Sequence, residues 1–366
     1  MKIAVDAMGG DNAPSATVEG AVLAARELGV TVRLIGIEDA VNEELARHQT
    51  AGLGIEVINA SQLVEMDESP ALAYRKKKDS SIMVGLNMLK SGSADAFVSA
   101  GNTGAVMAAG SLILRRMPGL SRAAIAVMLP TGRGWSILID AGANVDCKPR
   151  TLFEFGLMGS IYASHELKKD NPVVSILSIG EEETKGNEIT KEAAALLKAS
   201  ALNFNGNIEA KEVYQGNADV IVCDGFVGNI SLKISESLAE MISGALREIF
   251  SRNLRSKLGY LLVKPYLEEF KKRVDHSEYG GAPLLGLNGA VIISHGSSSA
   301  KAIKNAVMQA ERFTRMGVME KINKALKESS DIIGQAEKKD GFWRQIKKSI
   351  QFEPPAASED GGDRER

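Results

Sequence analysis

The residues best equipped for chemistry lie in short glycine-rich stretches that follow apolar runs. In the first, Asp6 closes the run Ile3 to Val5, and Met8-Gly9-Gly10-Asp11-Asn12-Ala13-Pro14 follows. Two glycines let a ligand approach the backbone, Asp11 or Asn12 suits an N-cap, and Pro14 suits a first helical turn. The loop therefore predicts converging N–H groups and a site for an anion such as phosphate. Comparable stretches recur: Ser99-Ala-Gly101-Asn102-Thr103-Gly104, Asp140-Ala-Gly-Ala-Asn144, and Ser178-Ile-Gly180 leading to Thr184-Lys185-Gly186. Two more are Asp224-Gly225-Phe-Val-Gly228-Asn229 and His295-Gly296-Ser297-Ser-Ser299.

These stretches offer amide hydrogens, side-chain amides, hydroxyls and one well-placed cation, Lys185. Such a set can hold a phosphate and stabilise a developing oxyanion, but it contains no nucleophile with its own base. If phosphate is the attacking group, it is already anionic near neutral pH and needs orientation more than deprotonation. The sequence has no GxSxG elbow, no HExxH, no Walker A and no GxGxxG after the first apolar run. Of the four histidines, His48 and His165 read as solvated helix residues and His276 as a hinge or interface residue. His295, in its glycine/serine loop, reads either as a loop-holding residue or as a site residue. No metal is expected, because Asp6, Asp140 and Asp224 sit at separate strand ends and can each cap a neighbouring loop. No cofactor is expected either.

Positioning these residues requires alternating strands and helices. The predicted strands are Lys2–Ala7, Val32–Ile37, Ile55–Asn59, Ala96–Ser99, Ala124–Leu129, Ser136–Asp140, Val173–Ile179, Val220–Cys223 and Val291–Ser294. Between them run helical patterns such as Val18, Val22, Ala25 and Leu28 before Gly29, a suitable C′ residue. Nearly all-apolar strands separated by helices predict an α/β fold with a mostly parallel sheet covered on both faces. Ligands bind beyond the carboxyl ends of such strands, so the glycine-rich stretches are expected on one common edge.

The net charge is only −2 and aromatic residues are 5% of the chain, which argues against a nucleic-acid partner. The two cysteines, Cys147 and Cys223, lack CxxC spacing and are expected reduced and buried in a cytoplasmic protein. Asp6 inside the first apolar stretch argues against a signal peptide, and no apolar run approaches a membrane span. Two stretches break the alternation. Arg252 to Val274, with Pro265 at its centre, predicts a helical hairpin for a dimer interface, a lipid surface or a partner protein. Phe342 to Phe352 is basic and amphipathic, and Glu353 to Arg366 reads as a disordered tail. The expected organisation is one domain over 1–330, an amphipathic extension over 331–352 and the tail over 353–366.

The strings VDAMGGDNAP at 5–14, SAGNTGA at 99–105, GANVDCKP at 142–149, SIGEEETKGNE at 178–188, VCDGFVGN at 222–229, and YGGAPLLGLNG with ISHGSS within 279–298 resemble the bacterial phosphate acyltransferase family, PlsX. The resemblance covers about residues 1–328. It implies a three-layer α/β/α fold similar to phosphotransacetylases and isocitrate-type dehydrogenases. The implied reaction is acyl transfer from acyl-carrier protein to inorganic phosphate, giving acyl phosphate for phospholipid synthesis. Also implied are a homodimer, peripheral association with the cytoplasmic membrane, and delivery of product to a membrane-bound glycerol-phosphate acyltransferase. Carried over by motif, Gly9, Gly10, Asp11 and Asn12 form the first site loop, Asn102 and Thr103 the second, and Asn144 the third. Lys185 and Asn229 fall at the reacting end, and Gly281 and Gly296 lie in matched loops.

Lys257, Lys264, Lys271, Lys272 and Arg273 suit an acidic carrier, and Leu258, Leu261 and Leu262 give an apolar tip for anionic lipid. Two rivals stand beside this reading: a phosphotransacylase that uses coenzyme A thioesters, and a non-catalytic membrane-surface scaffold.

Overall fold

The computed structural model describes residues 1–274, 280–329 and 334. The side chains of Lys271, Lys272 and Arg273, together with His276, the Phe342 to Phe352 stretch and the 353–366 tail, lie outside the described residues. The first third of the chain builds β1 (Lys2–Asp6), α1 (Ser15–Leu28), β2 (Thr31–Gly36), α2 (Glu38–Leu45), β3 (Ile55–Asn59), α3 (Pro70–Lys76), α4 (Ser81–Lys90), β4 (Ala96–Ser99) and α5 (Thr103–Ile113). Next come β5 (Ala124–Thr131), β6 (Gly134–Ile139), α6 (Pro149–Glu166), β7 (Val174–Ser178), α7 (Glu188–Lys198), β8 (Phe204–Glu209) and β9 (Val220–Val222). Two long helices follow, α8 (Gly225–Ser251) and α9 (Leu254–Val274), before β10 (Ala282–Leu285), β11 (Ala290–Ile293), α10 (Ala300–Arg315) and α11 (Val318–Glu328).

The strands form one sheet in the order β3-β2-β1-β4-β11-β10-β5-β6-β9-β7-β8. Side-chain alternation assigns its two faces. Ile3 and Val5 pack with α1, α6, α10 and α11 residues such as Val18, Phe153, Ile303 and Ile322. Ala4 and Phe97 pack on the other face with Ile82 and Leu86 of α4 and Val106 and Ala109 of α5. These three layers match the predicted class. α1 ends as expected, with Gly29 at φ 65°.

Pairing direction changes one expectation. β3, β2, β1, β4 and β11 are mutually parallel, as are β6, β9, β7 and β8. Between these halves the steps β11–β10, β10–β5 and β5–β6 are all antiparallel. Three reversals make the two parallel halves run in opposite directions, so their carboxyl ends do not share one sheet edge. Two strands are missing from the sequence reading, β8 and β10, and β10 is one of the reversing strands.

The expected hairpin within 252–274 is instead a single helix, α9, that runs through Pro265. Its partner is α8, which it meets at their junction, where the Phe250 and Tyr260 rings lie 5.4 Å apart. Only Gly225 and Gly228 of α8 are buried. His48 and His165 are half-buried rather than solvated. His48 Nε2 lies 3.6 Å from Glu44 Oε1, and Lys321 of α11 approaches His165 Nδ1 at 3.5 Å.

Candidate active site

The first cluster is built on a buried carboxylate at the end of β1. Asp6 is 1% exposed and accepts from Ser99 Oγ at 2.7 Å and from the Met8 N–H at 3.2 Å. Burial pushes its carboxyl above the ordinary value, while donors from Ser81, Ser99, Met8 and Gly9 pull the other way. Ser99 Oγ also accepts from the Gly101 N–H at 3.0 Å, so one aspartate and one serine hold two loops. Gly9 has to be glycine here: a Cβ would stand 2.5 Å from Asp6 Oδ2 and 2.6 Å from the Gly101 nitrogen. At φ 103°, Gly10 takes a backbone turn that side chains resist.

The loop then locks to the one after β11. The Asp11 N–H donates to the Gly296 carbonyl at 2.8 Å, and Asn12 Nδ2 lies 3.4 Å from the carbonyls of both Ser297 and Ser298. Neither Asp11 nor Asn12 caps α1 with its side chain, because the N-cap position falls to Pro14 and Asn12 is drawn toward the neighbouring loop. His295 Nδ1 accepts from the Ser297 N–H at 3.2 Å and lies 2.8 Å from Ser297 Oγ, which favours its loop-holding reading.

Asn102 caps α5, its Oδ1 accepting from the Ala105 N–H at 2.9 Å. Its Nδ2 faces three carbonyls of the strap between β3 and α3: Glu65 at 3.1 Å, Met66 at 2.9 Å and Glu68 at 2.9 Å. The side chain is thereby spent on the protein itself. Thr103 remains exposed at the helix start, where the first N–H groups have no intrahelical acceptor.

The second cluster repeats the device at the end of β6. Asp140, fully buried, accepts from the N–H groups of Ile125 (3.0 Å), Ala143 (3.0 Å) and Asn144 (2.7 Å), and from Asn144 Nδ2 (2.9 Å). Burial again raises its carboxyl against these donors. Asn144 Nδ2 also donates to the Ala123 carbonyl at 2.7 Å, so this side chain too is turned inward. α8 starts on this loop: Asp224 caps it through Val227 N–H at 2.9 Å, and Gly225 N–H donates to the Asn144 carbonyl at 2.7 Å. A Cβ on Gly228 would run into the Asp140 carbonyl, which accounts for the glycine there. Asn229 is exposed, its Cγ 3.5 Å from where a Cβ on Gly142 would stand. Cys147 and Cys223 are free and buried in this cluster. Burial, and then the charges of Asp140 and Asp224, push Cys147 up to about 12 and Cys223 well above its ordinary value, so neither supplies a thiolate.

Lys185 and Thr184 are exposed in a third loop, after β7, whose Lys185 N–H donates to the Glu182 carbonyl at 2.9 Å. A Cβ on Gly180 would meet Lys185 Cγ at 2.8 Å. Gly281 lies against β11, where a Cβ would stand 2.5 Å from the Ile293 carbonyl, and so acts in packing. The structure thus joins Asp6, Gly9, Ser99 and Gly101 with Asp11, Asn12, Gly296 and Ser297. It separately joins Asp140, Asn144, Asp224, Gly225, Gly228 and Asn229.

Sequence reasoning missed Ser81 beneath Asp6, the Met66 strap, and Lys77, whose Nζ binds Glu68 at 2.5 Å and the Leu63 carbonyl at 2.6 Å. The run Asp79-Ser80-Ser81 before α4 was a readable cap signal, but its contact with residue 6 was not. Chemically, both clusters present helix starts and exposed polar side chains over buried, loop-holding carboxylates. That arrangement has the donors to orient an anion and to receive developing negative charge.

A family profile described as "Fatty acid synthesis protein" matches residues 1–321. The chain is 50% identical over 322 residues to the phosphate acyltransferase of Geobacter sulfurreducens, covering 88% of this chain and 93% of the relative. It is 51% identical over 329 residues to that of Geotalea uraniireducens, covering 90% and 95%. In fold it is similar to a phosphotransacetylase from Streptococcus pyogenes, with a TM-score of 0.56 and 19% identity over 87% of this chain and 94% of that one.

Proposed function

The chain belongs to the fatty acid synthesis protein family and is an acyltransferase that moves an acyl group to phosphate, and from that premise we propose that its donor is acyl-acyl-carrier protein. An oxygen of hydrogen phosphate attacks the thioester carbonyl carbon, the C–O bond forms, and the C–S bond breaks. The proton of hydrogen phosphate leaves with the sulfur, giving acyl phosphate and the carrier thiol. Phosphate fits either helix start, that of α5 at Thr103 with the Gly9–Asn12 loop or that of α8 at Asp224 to Gly228, and Asn229 with Lys185, on the sheet edge of α8, stabilises the carbonyl oxygen as it gains charge. The observation that carries the reading is that α5 and α8 each start at a strand carboxyl end, and that the cysteines beside the α8 start keep their thiols protonated. With no thiolate to form an acyl-enzyme, direct attack by bound phosphate is the economical route.

The product is a mixed anhydride suited to phospholipid synthesis, passed to a membrane-bound glycerol-phosphate acyltransferase. Two surfaces support work at a membrane by a homodimer. Ile230, Ile234, Leu238, Met241 and Ile242 expose an apolar stripe along α8, a fit for a second copy. On α9, Leu258 and Leu262 are 64% and 75% exposed beside Lys257 and Lys264, a fit for anionic lipid. None of the described helices is long and apolar enough to cross a membrane.

Labelled phosphate mixed with acyl-carrier thioester, and separately with acyl-coenzyme A, tests the donor. Acyl phosphate and carrier thiol should appear in equal amounts with the first. Turnover with coenzyme A alone would replace the donor, and turnover with neither would overturn the reaction.

A further inference from the structure

Segment 61–81 is built into the first cluster at both ends. Its strap is held by Asn102, and a Cβ on Gly296 would meet Met66 Cε at 2.8 Å. Pro70, at the start of α3, stands 2.7 Å from where a Cβ on Gly104 would lie. Ser61 N–H and Oγ bind Asp79 Oδ2 at 2.9 and 2.6 Å, and Ser81 reaches Asp6. Within this anchored segment, at the end of α3, lie four consecutive cations, Arg75 to Lys78.

Only one of the four is needed by the fold. Lys77 is half-buried and fastens Glu68 and the Leu63 carbonyl. Arg75, Lys76 and Lys78 are exposed, and none of the three forms an ion pair among the described residues. Lys78 Nζ rests 3.9 Å above the Tyr74 ring, which leaves its charge in place. The nearby acids Glu68 and Asp79 are engaged by Lys77 and Ser61, and both carboxyls are held below their ordinary values. Glu65 and Asp67 sit on the strap, ahead of α3. Exposed cations on a segment anchored at both ends present a fixed positive patch that attracts an acidic partner.

Resting on the reading that an acyl-carrier protein is the donor, we propose that Arg75, Lys76 and Lys78 form the docking surface for that acidic carrier. Of the rival cations on α9, Lys257 and Lys264 are the less suited. From Asn229 to Ser251, α8 is about 33 Å long at 1.5 Å per residue, and Lys257 follows beyond its far end. Lys264 is moreover drawn to Glu268 at 3.6 Å. A lipid surface fits α3 less well than α9, since α3 pairs its cations with a single half-exposed Leu72 rather than a row of leucines.

The test is Arg75→Glu/Lys76→Glu/Lys78→Glu, assayed with acyl-carrier protein and phosphate from low to high salt. Native KM for carrier should rise with salt. The variant should show a KM about tenfold higher at low salt, little further salt dependence, and an unchanged KM for phosphate. Should the triple variant fail to fold, Lys76→Glu and Lys78→Glu tested singly should each raise the carrier KM about threefold at low salt. An unchanged carrier KM in folded variants overturns the surface. So does a rise confined to Lys257→Glu/Lys264→Glu, which would return docking to α9. Native protein that turns over no carrier thioester would sink the donor assignment instead, and the surface with it.

Discussion

Asn102 and Asn144 are the amides a sequence reader would hand to the substrate, yet each gives its hydrogens to the protein: one to the strap carbonyls, the other to Ala123 and Asp140. Asn229 and Lys185 stay exposed, and the proposed reaction assigns them to the developing oxyanion. Loss of such a donor typically costs roughly 3 to 4 kcal/mol in the transition state. Asn229→Ala and Lys185→Ala should therefore each lower kcat by about two to three orders of magnitude while the thermal midpoint stays near native. Near-native turnover in either variant would assign that residue to solvent. The cysteines give a pH expectation of opposite character. Their folded values lie above the ordinary thiol value, so the native state favours the protonated form. The resulting stability is complete below the ordinary value and is lost as pH rises toward about 12, where Cys147 ionises in the native state. Alkylation at mildly alkaline pH should be far slower in native than in urea-unfolded protein, and equal rates would overturn the burial argument.

At the scale of elements, periodicity in the sequence was informative wherever one face of a segment is buried. The nine predicted strands all appear with boundaries within a few residues, because all-apolar runs such as Ala96–Ser99 have few alternatives in a sheet covered twice. β8 and β10 escaped for different reasons. Phe204–Glu209 alternates weakly, with Asn205 and Asn207 at positions that carry no hydrophobic signal. Ala282–Leu285 is four residues long and lies between glycine-rich turns, so it reads as loop. Missing β10 meant missing a reversal, and with it the split of the strand ends into two sets. The glycine motifs themselves were legible as strand-to-helix turns. What they bind internally was not, since the bonds from Ser99 to Asp6 and from Asn12 to Ser297 span 93 and 285 residues and leave no local pattern.

For the whole molecule, α8 and α9 depart from the usual rule that apolar surface is covered. Leu258, Leu261 and Leu262 crown a helix none of whose described residues is buried. If these residues enter the headgroup region, Leu261→Glu/Leu262→Glu should abolish most co-sedimentation with vesicles rich in anionic lipid and leave turnover in solution intact. Retained binding would move the lipid contact elsewhere, with deletion of 341–366 as the next variant to compare. The central reversals carry a different consequence, one of time. β4 and β5 leave the ribosome within the first 131 residues, but the strands that join them, β10 and β11, end at Leu285 and Ile293. Until then each half-sheet keeps an open edge, and the long helices α8 and α9 are made while the sheet is still in two pieces. Synthesis order thus makes this a late-closing fold, whose nascent chains carry two open strand edges from Thr131 to Leu285.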